Sequence, residues 1–317
     1  MAKAKVKCKR FNYKRNFGIE IELSNNLDLQ ALNDIVQQAS PERPIYKNSS
    51  WANTGPDNHY WHIKRDSTCG PKGKTTVLSD YGYEIASYVG KGIKDAKQMA
   101  TVVDLLKTNG AKINKHCGIH IHASSMDLNR TQVATILANW VKIENTMFQS
   151  CPAHRRRNKY CSSISKKISV KKGLTLSNFW EQVKPKQLSV HGNSDKKVTI
   201  NTVGFVAFNE GRSGAKNTIE LRMPEASLEK DDIINWIRIY VHFIENAKKL
   251  KMPENLRVVG VADTLEILGL HSHDNLYTLS TGLQKTRNWF LHRIVENSSS
   301  SLRIREAKKM LSLKSKE

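Results

Sequence analysis

The chain has 317 residues, of which 39% are hydrophobic, a length that suits one large domain or one domain with an appendage. No stretch approaches the roughly 18 consecutive apolar residues of a membrane helix, and residues 1–17 lack the apolar stretch of a secretory signal. We therefore expect a cytoplasmic protein without membrane association. The 51 Lys and Arg residues outnumber the 29 Asp and Glu residues, which gives a formal net charge of +22. Such a chain attracts polyanions, although a solvated lysine-rich surface would give the same charge.

The cysteines argue against a disulfide framework or a structural zinc site. They are odd in number and contain no Cys-x-x-Cys pair: Cys8, Cys69, Cys117, Cys151 and Cys161. We expect reduced thiols that pack in the interior of the protein.

The N-terminal half of the chain predicts alternating strands and helices. Residues 1–16 carry seven Lys or Arg residues and no acidic residue, which predicts a basic arm. The alternation of apolar and acidic residues over 17–23 predicts a strand with one apolar face. Further along, the patterns predict a helix (28–39), a loop (40–60), strands (61–65 and 83–88), a helix (93–108), a strand (117–123) and a helix from about 129 to 151.

The C-terminal half begins with a basic, loop-rich segment at 153–197, in which a short helix is predicted near 178–183. Strands are predicted at 197–209 and 217–223, joined by a hairpin loop at 211–214. Helices are predicted at 232–250, 261–268, 283–296 and 302–311. Together these elements predict an α+β fold with a mostly antiparallel sheet and a helical C-terminal portion.

Polar residues recur at two-residue spacing in the predicted strands, and residues i and i+2 of a strand point to one face of the sheet. Three pairs follow this rule: Glu20 with Glu22, His120 with His122, and Glu220 with Arg222. Glu84 adds a carboxylate from the strand at 83–88. Buried carboxylates without partners are very costly, and metal ions are the simplest way to neutralise them. Carboxylate-rich sites suit Mg²⁺, and an imidazole ligand is more compatible with Mn²⁺.

Each pair also has an ordinary structural explanation. An isolated Glu-x-Glu usually marks a solvent-facing strand, His-x-His can be two hydrogen-bonded histidines, and Glu-x-Arg can be an ion pair. The functional prediction therefore depends on the occurrence of all the pairs in one chain.

These segments resemble a known family. FGIEIE (17–22), YEIAS (83–87), CGIHIHAS (117–124) and NTIELRMPEAS (217–227) follow an order similar to that of glutamine synthetase and γ-glutamylcysteine synthetase. The closer resemblance is to the amidoligase family of phage and bacterial genomes. HIKRDSTC (62–69), the run from Gly110 to His122 and the Arg-Arg-x-x-Tyr-Cys pattern (156–161) carry it. In pieces, the resemblance covers the chain from residue 16 to residue 250.

The resemblance implies a glutamine synthetase-like fold whose sheet carries the active site. It also implies a division into a basic arm (1–16), a catalytic domain (17–250, with the basic insertion at 153–197) and a helical C-terminal extension (251–317). The implied metal ligands are Glu20, Glu22, Glu84, His120 and Glu220. His122 would contact phosphate or substrate, and Arg156 and Arg157 would clamp phosphates. Arg222 would stabilise the transferred phosphoryl group, and Asp66 would lie near the substrate.

The implied activity is ATP-dependent ligation of a carboxylate to an amine, with Mg²⁺ or Mn²⁺. The carboxylate would attack the γ-phosphate of ATP, and the amine would displace phosphate from the resulting acyl phosphate. The sequence contains no P-loop and no strand–GxGxxG–helix, so a different scaffold would bind the nucleotide. The substrates would be small-molecule or polymer-linked, and segments 40–60 and 160–197 would shield the intermediate from water.

Two other functions stay open at this point. His120, His122 and a glutamate could bind zinc and activate water, and such a hydrolase would act without ATP. The basic arm and the lysine-rich insertion would also suit a nucleic-acid-binding protein without catalysis, although no recognised binding motif is present. In a ligase, the arm could instead recruit a nucleic acid or an acidic protein partner.

Overall fold

A computed structural model of the chain describes residues 7–9, 14–24, 26–43, 45–46, 59–169, 175–187, 195–213, 215–270 and 277–313. The strands are β1 (Lys7–Lys9), β2 (Asn16–Leu23), β3 (Ile45–Tyr46), β4 (Trp61–Asp66), β5 (Gly82–Ala86), β6 (Gly90–Lys91), β7 (Ile119–Ser124), β8 (Ile200–Asn201), β9 (Thr218–Leu221) and β10 (Tyr277–Leu279). The helices are α1 (Leu29–Ala39), α2 (Gly92–Thr108), α3 (Arg130–Gln149), α4 (Ala153–Arg156), α5 (Leu176–Val183), α6 (Val203–Asn209), α7 (Lys230–Ala247), α8 (Val261–Ile267), α9 (Thr281–Asn297) and α10 (Ser301–Ser312).

The main sheet has the strand order β3-β4-β5-β2-β7-β9-β8, and β6 adds to the end of β2. Its neighbouring strands are antiparallel except for β3 and β4, which run parallel. The α+β class and the mostly antiparallel sheet are therefore confirmed.

Strand β2 lies at the centre of the sheet and alternates strictly in polarity. Its residues Phe17, Ile19, Ile21 and Leu23 are buried on one face, which puts Glu20 and Glu22 on the other. Strands β5 and β7 pair with its two edges, so the backbone of β2 is fixed from both sides.

Helices cover the apolar face of the sheet. Side chains of α1, α2, α3 and α7 pack with that face in one hydrophobic core. Phe290 and Ile294 of α9 and Met310 of α10 belong to the same core, although they lie in the predicted C-terminal extension. The domain boundary at residue 250 stays a prediction, but the hydrophobic core continues across it.

The ends of two helices follow the signals in the sequence. Asn129 caps α3 by accepting a hydrogen bond from the Gln132 N–H, and the Gln132 side chain accepts one from the Asn129 N–H. Helix α2 ends at Asn109, and Gly110 follows with a φ of +78°. The predicted helices of the C-terminal region are present as α7 to α10, with ends that differ by a few residues.

The predicted strand at 197–209 is wrong over most of its length. Strand β8 contains only Ile200 and Asn201, and residues 203–209 form helix α6. Their apolar run, VGFVAF, lacks the alternation that separates a strand from a short buried helix. The segment at 211–214 therefore joins a helix to β9 rather than two strands, and Gly214 lies outside the described residues.

The predicted basic arm is only partly described, since residues 1–6 and 10–13 lie outside the described ranges. Strand β1 pairs in parallel with β10. Arg15 is not part of an exposed arm, because its side chain is buried and pairs with Asp127 and Glu245 at 2.8 and 2.5 Å. The Arg15 guanidinium also donates to the Ser124 carbonyl.

The basic insertion is anchored to the core where it is described. Glu144 of α3 is buried and accepts hydrogen bonds from the Ile164 N–H and the Ser165 N–H at 2.8 and 3.2 Å. Phe179 and Trp180 of α5 are also buried in the core. Residues 170–174 and 188–194 of this segment, and 47–58 of the predicted loop, lie outside the described ranges.

Cys69, Cys117, Cys151 and Cys161 are buried free thiols, which confirms the prediction for these four residues. The Cys8 side chain lies outside the described part of the chain. Among the described residues, no helix is both long and apolar enough to cross a membrane.

Candidate metal centre

The polar face of the sheet carries a grid of charged residues, set by the strand register. One row across the sheet contains Lys64, Glu84 and Glu22, from β4, β5 and β2. The next row contains Glu20 and His120, and the third contains His122 and Glu220. Residues paired across antiparallel strands point to the same face, so the register brings the acidic and imidazole groups together.

His120 lies at the middle of this cluster and is 3% exposed. Its Nδ1 atom is 3.1 Å from Glu20 Oε2 and 3.5 Å from Glu220 Oε1, and its Nε2 atom is 3.5 Å from Glu22 Oε1. Two groups of possible ligands share this histidine: Glu20, His120 and Glu220, and Glu22, Glu84 and His120. Within each group the ligand atoms lie within 4.8 Å of one another. This donor set suits a divalent cation that prefers oxygen and accepts imidazole.

The carboxylates at one end of the cluster are held ionised by cationic neighbours. Burial alone would raise the pKa of Glu20, but the charge of His122 and a hydrogen bond with His120 outweigh it and hold the pKa well below its usual range. Burial would also raise the pKa of Glu220, but Arg222, His122 and His120 lower it to about 2. Both groups are therefore available as anionic ligands at neutral pH.

Glu84 behaves differently. Burial raises its pKa, and the negative charge of Glu20 raises it further, while Lys64 opposes both effects. The Lys64 Nζ atom lies 2.5 Å from Glu84 Oε1, and Glu84, Glu20 and Asp66 together raise the Lys64 pKa against the effect of desolvation. The crowding of carboxylates around Glu84 is thus only partly neutralised by protein groups.

His122 provides a direct test of whether a metal ion would fit. Its Nε2 atom is buried and lies 3.2 Å from Glu20 Oε1 and 3.9 Å from Glu220 Oε1, without hydrogen-bond geometry to either. Its Nδ1 atom is 3.3 Å from the Thr218 hydroxyl, which fixes the ring. An imidazole nitrogen without a hydrogen bond, next to two carboxylates, fits a bound cation. Burial lowers the His122 pKa, but Glu20 and Glu220 outweigh it and raise the pKa.

Polar groups next to the cluster orient its ligands. The Asn201 side chain donates to Glu220 Oε2 at 2.6 Å, and the Gly118 N–H donates to Glu22 Oε2 at 2.6 Å. These bonds leave the other oxygen of each carboxylate facing His120, an arrangement typical of the groups that surround metal ligands.

Arg222 closes the cluster at the end of β9. Its guanidinium forms an ion pair with Glu220, and Nη1 is 3.4 Å from His120 Nδ1. Burial would lower the Arg222 pKa, but Glu220, Glu22 and Glu20 outweigh it and raise it, so the group is a permanent cation. Arg155 supports this residue from beneath, since it donates to the Arg222 and Met223 carbonyls at 2.8 and 3.1 Å.

Asp66 lies at the Glu22 end of the cluster, where β4 ends. Its Oδ1 atom accepts hydrogen bonds from the Thr68 N–H and hydroxyl, both at 2.7 Å. Possible ligand atoms of Asp66, Glu22 and Cys69 also lie within 4.8 Å of one another. The structure therefore brings Asp66 next to the cluster, while its place near a substrate stays a prediction.

The structure does not bring Arg156 or Arg157 to the cluster. The Arg156 guanidinium donates to carbonyls at the ends of α3 and α9, those of Phe148, Cys151 and Asn297. Arg157 is exposed. The arginine of this triplet that reaches the site is Arg155, which the sequence did not distinguish from its neighbours.

Besides Arg155, Lys64 and Asn201 lie at the site and were not predicted. Lys64 shares a sheet face with Asp66 because the two are i and i+2 on β4, the same spacing that pointed to Glu20 and Glu22. Asn201 gave no such signal, since its position depends on the pairing of a two-residue strand with β9.

The fold and the site together define an α+β protein with a candidate metal centre, in which several carboxylates lie on the polar face of a mostly antiparallel sheet. The chain belongs to the family described as "putative amidoligase enzyme", whose sequence model matches residues 13–244. This family membership indicates an enzyme of the ligase type. No curated protein matches the chain significantly.

Proposed function

We propose that this protein is an ATP-dependent carboxylate–amine ligase that forms an amide bond through an acyl phosphate, on a glutamine synthetase-like sheet. The observation that carries the proposal is the position of His120 between two sets of carboxylates on one face of the sheet. Glu20 and Glu220 form one set, and Glu22 and Glu84 form the other. A triphosphate and a carboxylate substrate bring several negative charges together, so their reaction needs neutralisation on both sides of the transferred group.

Glu20, His120 and Glu220 would hold one Mg²⁺ or Mn²⁺ ion, and Glu22 and Glu84 would hold a second near His120. When bound, these ions would neutralise the charge of the ATP phosphates and of the transferred phosphoryl group. His122, with its buried Nε2, would complete the ligands or contact a phosphate oxygen.

Arg222 supplies a fixed positive charge beside the cluster. Its pKa is raised by Glu220, Glu22 and Glu20 against the effect of burial, and its backbone is held by Arg155. A fixed guanidinium stabilises charge that develops on a transferred phosphoryl group without further reorganisation. Lys64, bonded to Glu84, supplies a second cation across the site.

The amine must lose a proton before or during its attack on the acyl phosphate. Asp66 is a suitable acceptor because Thr68 fixes the carboxylate through Oδ1, next to Glu22. Segments 40–60 and 160–197 are proposed to cover the site, because water would otherwise hydrolyse the acyl phosphate. We propose that the carboxylate and the amine are each either a small molecule or part of a polymer.

The test uses hydroxylamine as the amine, because it converts an acyl phosphate into a hydroxamate that is easily measured. A library of carboxylates is incubated with ATP and Mg²⁺, and ADP and hydroxamate are quantified. We expect Glu20→Gln and Glu220→Gln each to lower the rate at least about a hundredfold, since each removes a charge from the centre. Melting temperature is recorded with and without Mg²⁺ or Mn²⁺, and the cation should raise it in the wild type more than in either variant.

Glu210→Gln is the matched control, because Glu210 is exposed and lies outside the cluster. Its rate and its response to the metal should equal those of the wild type. Equal ADP release by the wild type, Glu20→Gln and Glu220→Gln would contradict the proposal. Product formation without ATP would instead favour a metal-dependent hydrolase.

A further inference from the structure

A group of basic residues lies around Tyr160 and His116 at one end of the candidate metal centre. We call this group the basic patch: Lys72, Lys74, Lys115, His116, His154, Lys159 and Lys197. Four of its lysines are exposed, and Lys197 is half-buried. Its residues come from separate segments of the chain, so no local sequence pattern indicates the group.

Three loops and the segment before β8 hold the basic patch together. The loop that carries Lys72 and Lys74 packs through Gly73 on the His116 ring, since a Cβ added at Gly73 would lie 2.9 Å from that ring. Asn114 donates to the Gly70 carbonyl at 3.2 Å and accepts from the His116 N–H at 2.8 Å, which joins this loop to the segment before β7.

The third loop contributes Tyr160 and Lys159, and Lys197 comes from the segment before β8, where its carbonyl accepts a hydrogen bond from the Ser162 N–H at 3.0 Å. The Lys159 and Lys197 Nζ atoms lie over the Tyr160 ring, 5.3 and 5.4 Å from its centroid. The Tyr160 N–H donates to Asn158 Oδ1 at 2.8 Å, which fixes the turn. Both ammonium groups are therefore held at this loop by cation–π contacts.

The basic patch is adjacent to the proposed active site. The Tyr160 carbonyl accepts a hydrogen bond from Arg222 Nε at 3.4 Å. Burial raises the Tyr160 pKa, and the carboxylates of Asp66 and Glu22 raise it further. A ligand that reaches from the metal centre past Asp66 and Arg222 would therefore arrive at the basic patch.

Among the residues that the structure describes, no carboxylate forms an ion pair with a lysine of the basic patch. Lysines that pair with a carboxylate in the described part of the chain include Lys64, Lys107, Lys167, Lys184, Lys230 and Lys248, and none of the five lysines of the patch does so. Burial lowers the pKa values of His116 and His154, and neighbouring cations lower them further. Like charges gathered without a counter-charge favour binding of an anion.

We propose that the basic patch binds the acidic residues that flank the reacting carboxylate in an acidic peptide substrate. This inference depends on the proposed function, because a carboxylate-activating site selects a ligand whose own carboxylates extend from the metal centre. An acidic peptide offers one carboxylate for activation and others for the lysines of the patch. The negative charge of such a peptide is also complementary to the net charge of +22 on the chain.

The arrangement of Tyr160 favours a peptide over a nucleic acid. Proteins that bind single-stranded nucleic acid offer aromatic faces on which bases stack. Tyr160 is the aromatic residue around which the patch is built, and both lysines that contact it lie over its ring. A base would have to displace these lysines, whereas a carboxylate can bind them where they are.

The test measures binding of a fluorescent oligoglutamate peptide by anisotropy, without ATP, at several salt concentrations. The variant combines Lys115→Gln, Lys159→Gln and Lys197→Gln, and we expect its Kd to rise at least about tenfold at low salt, because three charges are removed from one surface. Lys115→Glu, at an exposed position, is a second variant that should weaken binding without affecting folding.

The matched control combines Lys249→Gln, Lys251→Gln and Lys285→Gln, three exposed lysines that remove the same charge at the end of α7 and on α9. Its Kd should equal that of the wild type. Because the assay measures binding without ATP, its outcome does not depend on ligase activity. Equal binding by all variants would overturn the proposal. Tighter binding of an oligonucleotide of equal charge, abolished by the same variant, would overturn the choice of a peptide.

Discussion

Arg155, Arg156 and Arg157 show how far the environment of one residue type can differ over three positions. The Arg155 guanidinium is buried against Gly118 and holds the carbonyls of Arg222 and Met223. Arg156 instead caps carbonyls at the ends of two helices, and Arg157 is exposed. A buried guanidinium that donates to several carbonyls fixes a backbone more rigidly than a lysine could, because its donors form a planar fork.

The first prediction concerns the contact between Gly118 and Arg155. A Cβ at residue 118 would lie 2.5 Å from Arg155 Nη2, which cannot move without losing its bonds to the backbone of Arg222 and Met223. We expect Gly118→Ala to lower the free energy of unfolding by about 1–3 kcal/mol, as overpacking does, and to reduce activity as well. Urea denaturation and the hydroxamate assay measure the two effects.

Gly18→Ala is the matched control for stability, since it lies on the same face of the sheet. A Cβ there would meet Ser87 Oγ at 3.5 Å and the Tyr88 carbonyl at 3.7 Å, which are ordinary contacts. A Gly118→Ala protein as stable as Gly18→Ala would show that Arg155 is free to move.

At this scale, strand spacing predicted which side chains share one face of the sheet. Glu20, Glu22, His120 and Glu220 come together because alternation and register place them on one face. The sequence could not rank three consecutive arginines, because their directions depend on the short helix α4 and on contacts with α9. Residues of β4 such as Lys64 could have been found by the spacing already used for β2.

Helix α6 shows how close packing of one element sets the position of another. Gly204 faces β9, and a Cβ there would lie 2.4 Å from the Lys216 carbonyl and 3.1 Å from the Thr218 carbonyl. Strand β9 carries Glu220, so the approach of α6 supports the strand that presents this carboxylate.

The second prediction is that Gly204→Ala destabilises the protein, although the same change in an open helix stabilises it by about 0.5–1 kcal/mol. The new methyl group would clash with backbone atoms, which cannot rotate away. We expect a loss of about 1–3 kcal/mol in the free energy of unfolding, measured by urea denaturation.

The control is Gly282→Ala in α9, where the nearest atom to the new Cβ would be Arg238 Nη2 at 3.2 Å, the end of a flexible side chain. Its stability should match or exceed that of the wild type. If Gly204→Ala behaves in the same way, then α6 does not hold β9.

The elements themselves were predictable where their signals were local. Asn129, Asn109 and Gly110 mark helix ends through hydrogen bonds and dihedral angles that involve only residues nearby in the sequence. The segment at 203–209 was not, because its helix depends on burial of Phe205 and on contact with β9, both of which are long-range.

For the whole molecule, one ion-pair network joins the N-terminal region to the helical layer. Arg15 pairs with Asp127, after β7, and with Glu245 of α7, and Lys248 pairs with both carboxylates. Burial would raise the pKa values of Asp127 and Glu245, but their hydrogen bonds with Arg15 and Lys248 outweigh it and lower them. The network therefore favours the ionised carboxylates in the folded state.

The third prediction follows from the sign of these shifts. Because the folded-state pKa values are lowered, their stabilisation is complete above the ordinary carboxyl pKa of about 4 and is lost as the pH falls through the lowered values. We expect Arg15→Met to lower the free energy of unfolding at neutral pH by about 3 kcal/mol, because it leaves Glu245 poorly compensated. The decline of stability below pH 4 should become shallower than in the wild type.

Urea denaturation over a series of pH values measures both effects. Arg257→Met, at an exposed position, is the control and should follow the wild-type curve. An unchanged slope in Arg15→Met would show that the network does not contribute to the acid sensitivity.

The hydrophobic core continues beyond the region that matches the family. The match ends at residue 244, but Phe290, Ile294 and Met310 are buried in the same core as the sheet. Truncation of the chain to the matched segment would therefore expose a large apolar surface and promote aggregation. A design that grafts this sheet into another protein would have to include helices α8, α9 and α10, or replace them with other apolar residues that cover the core.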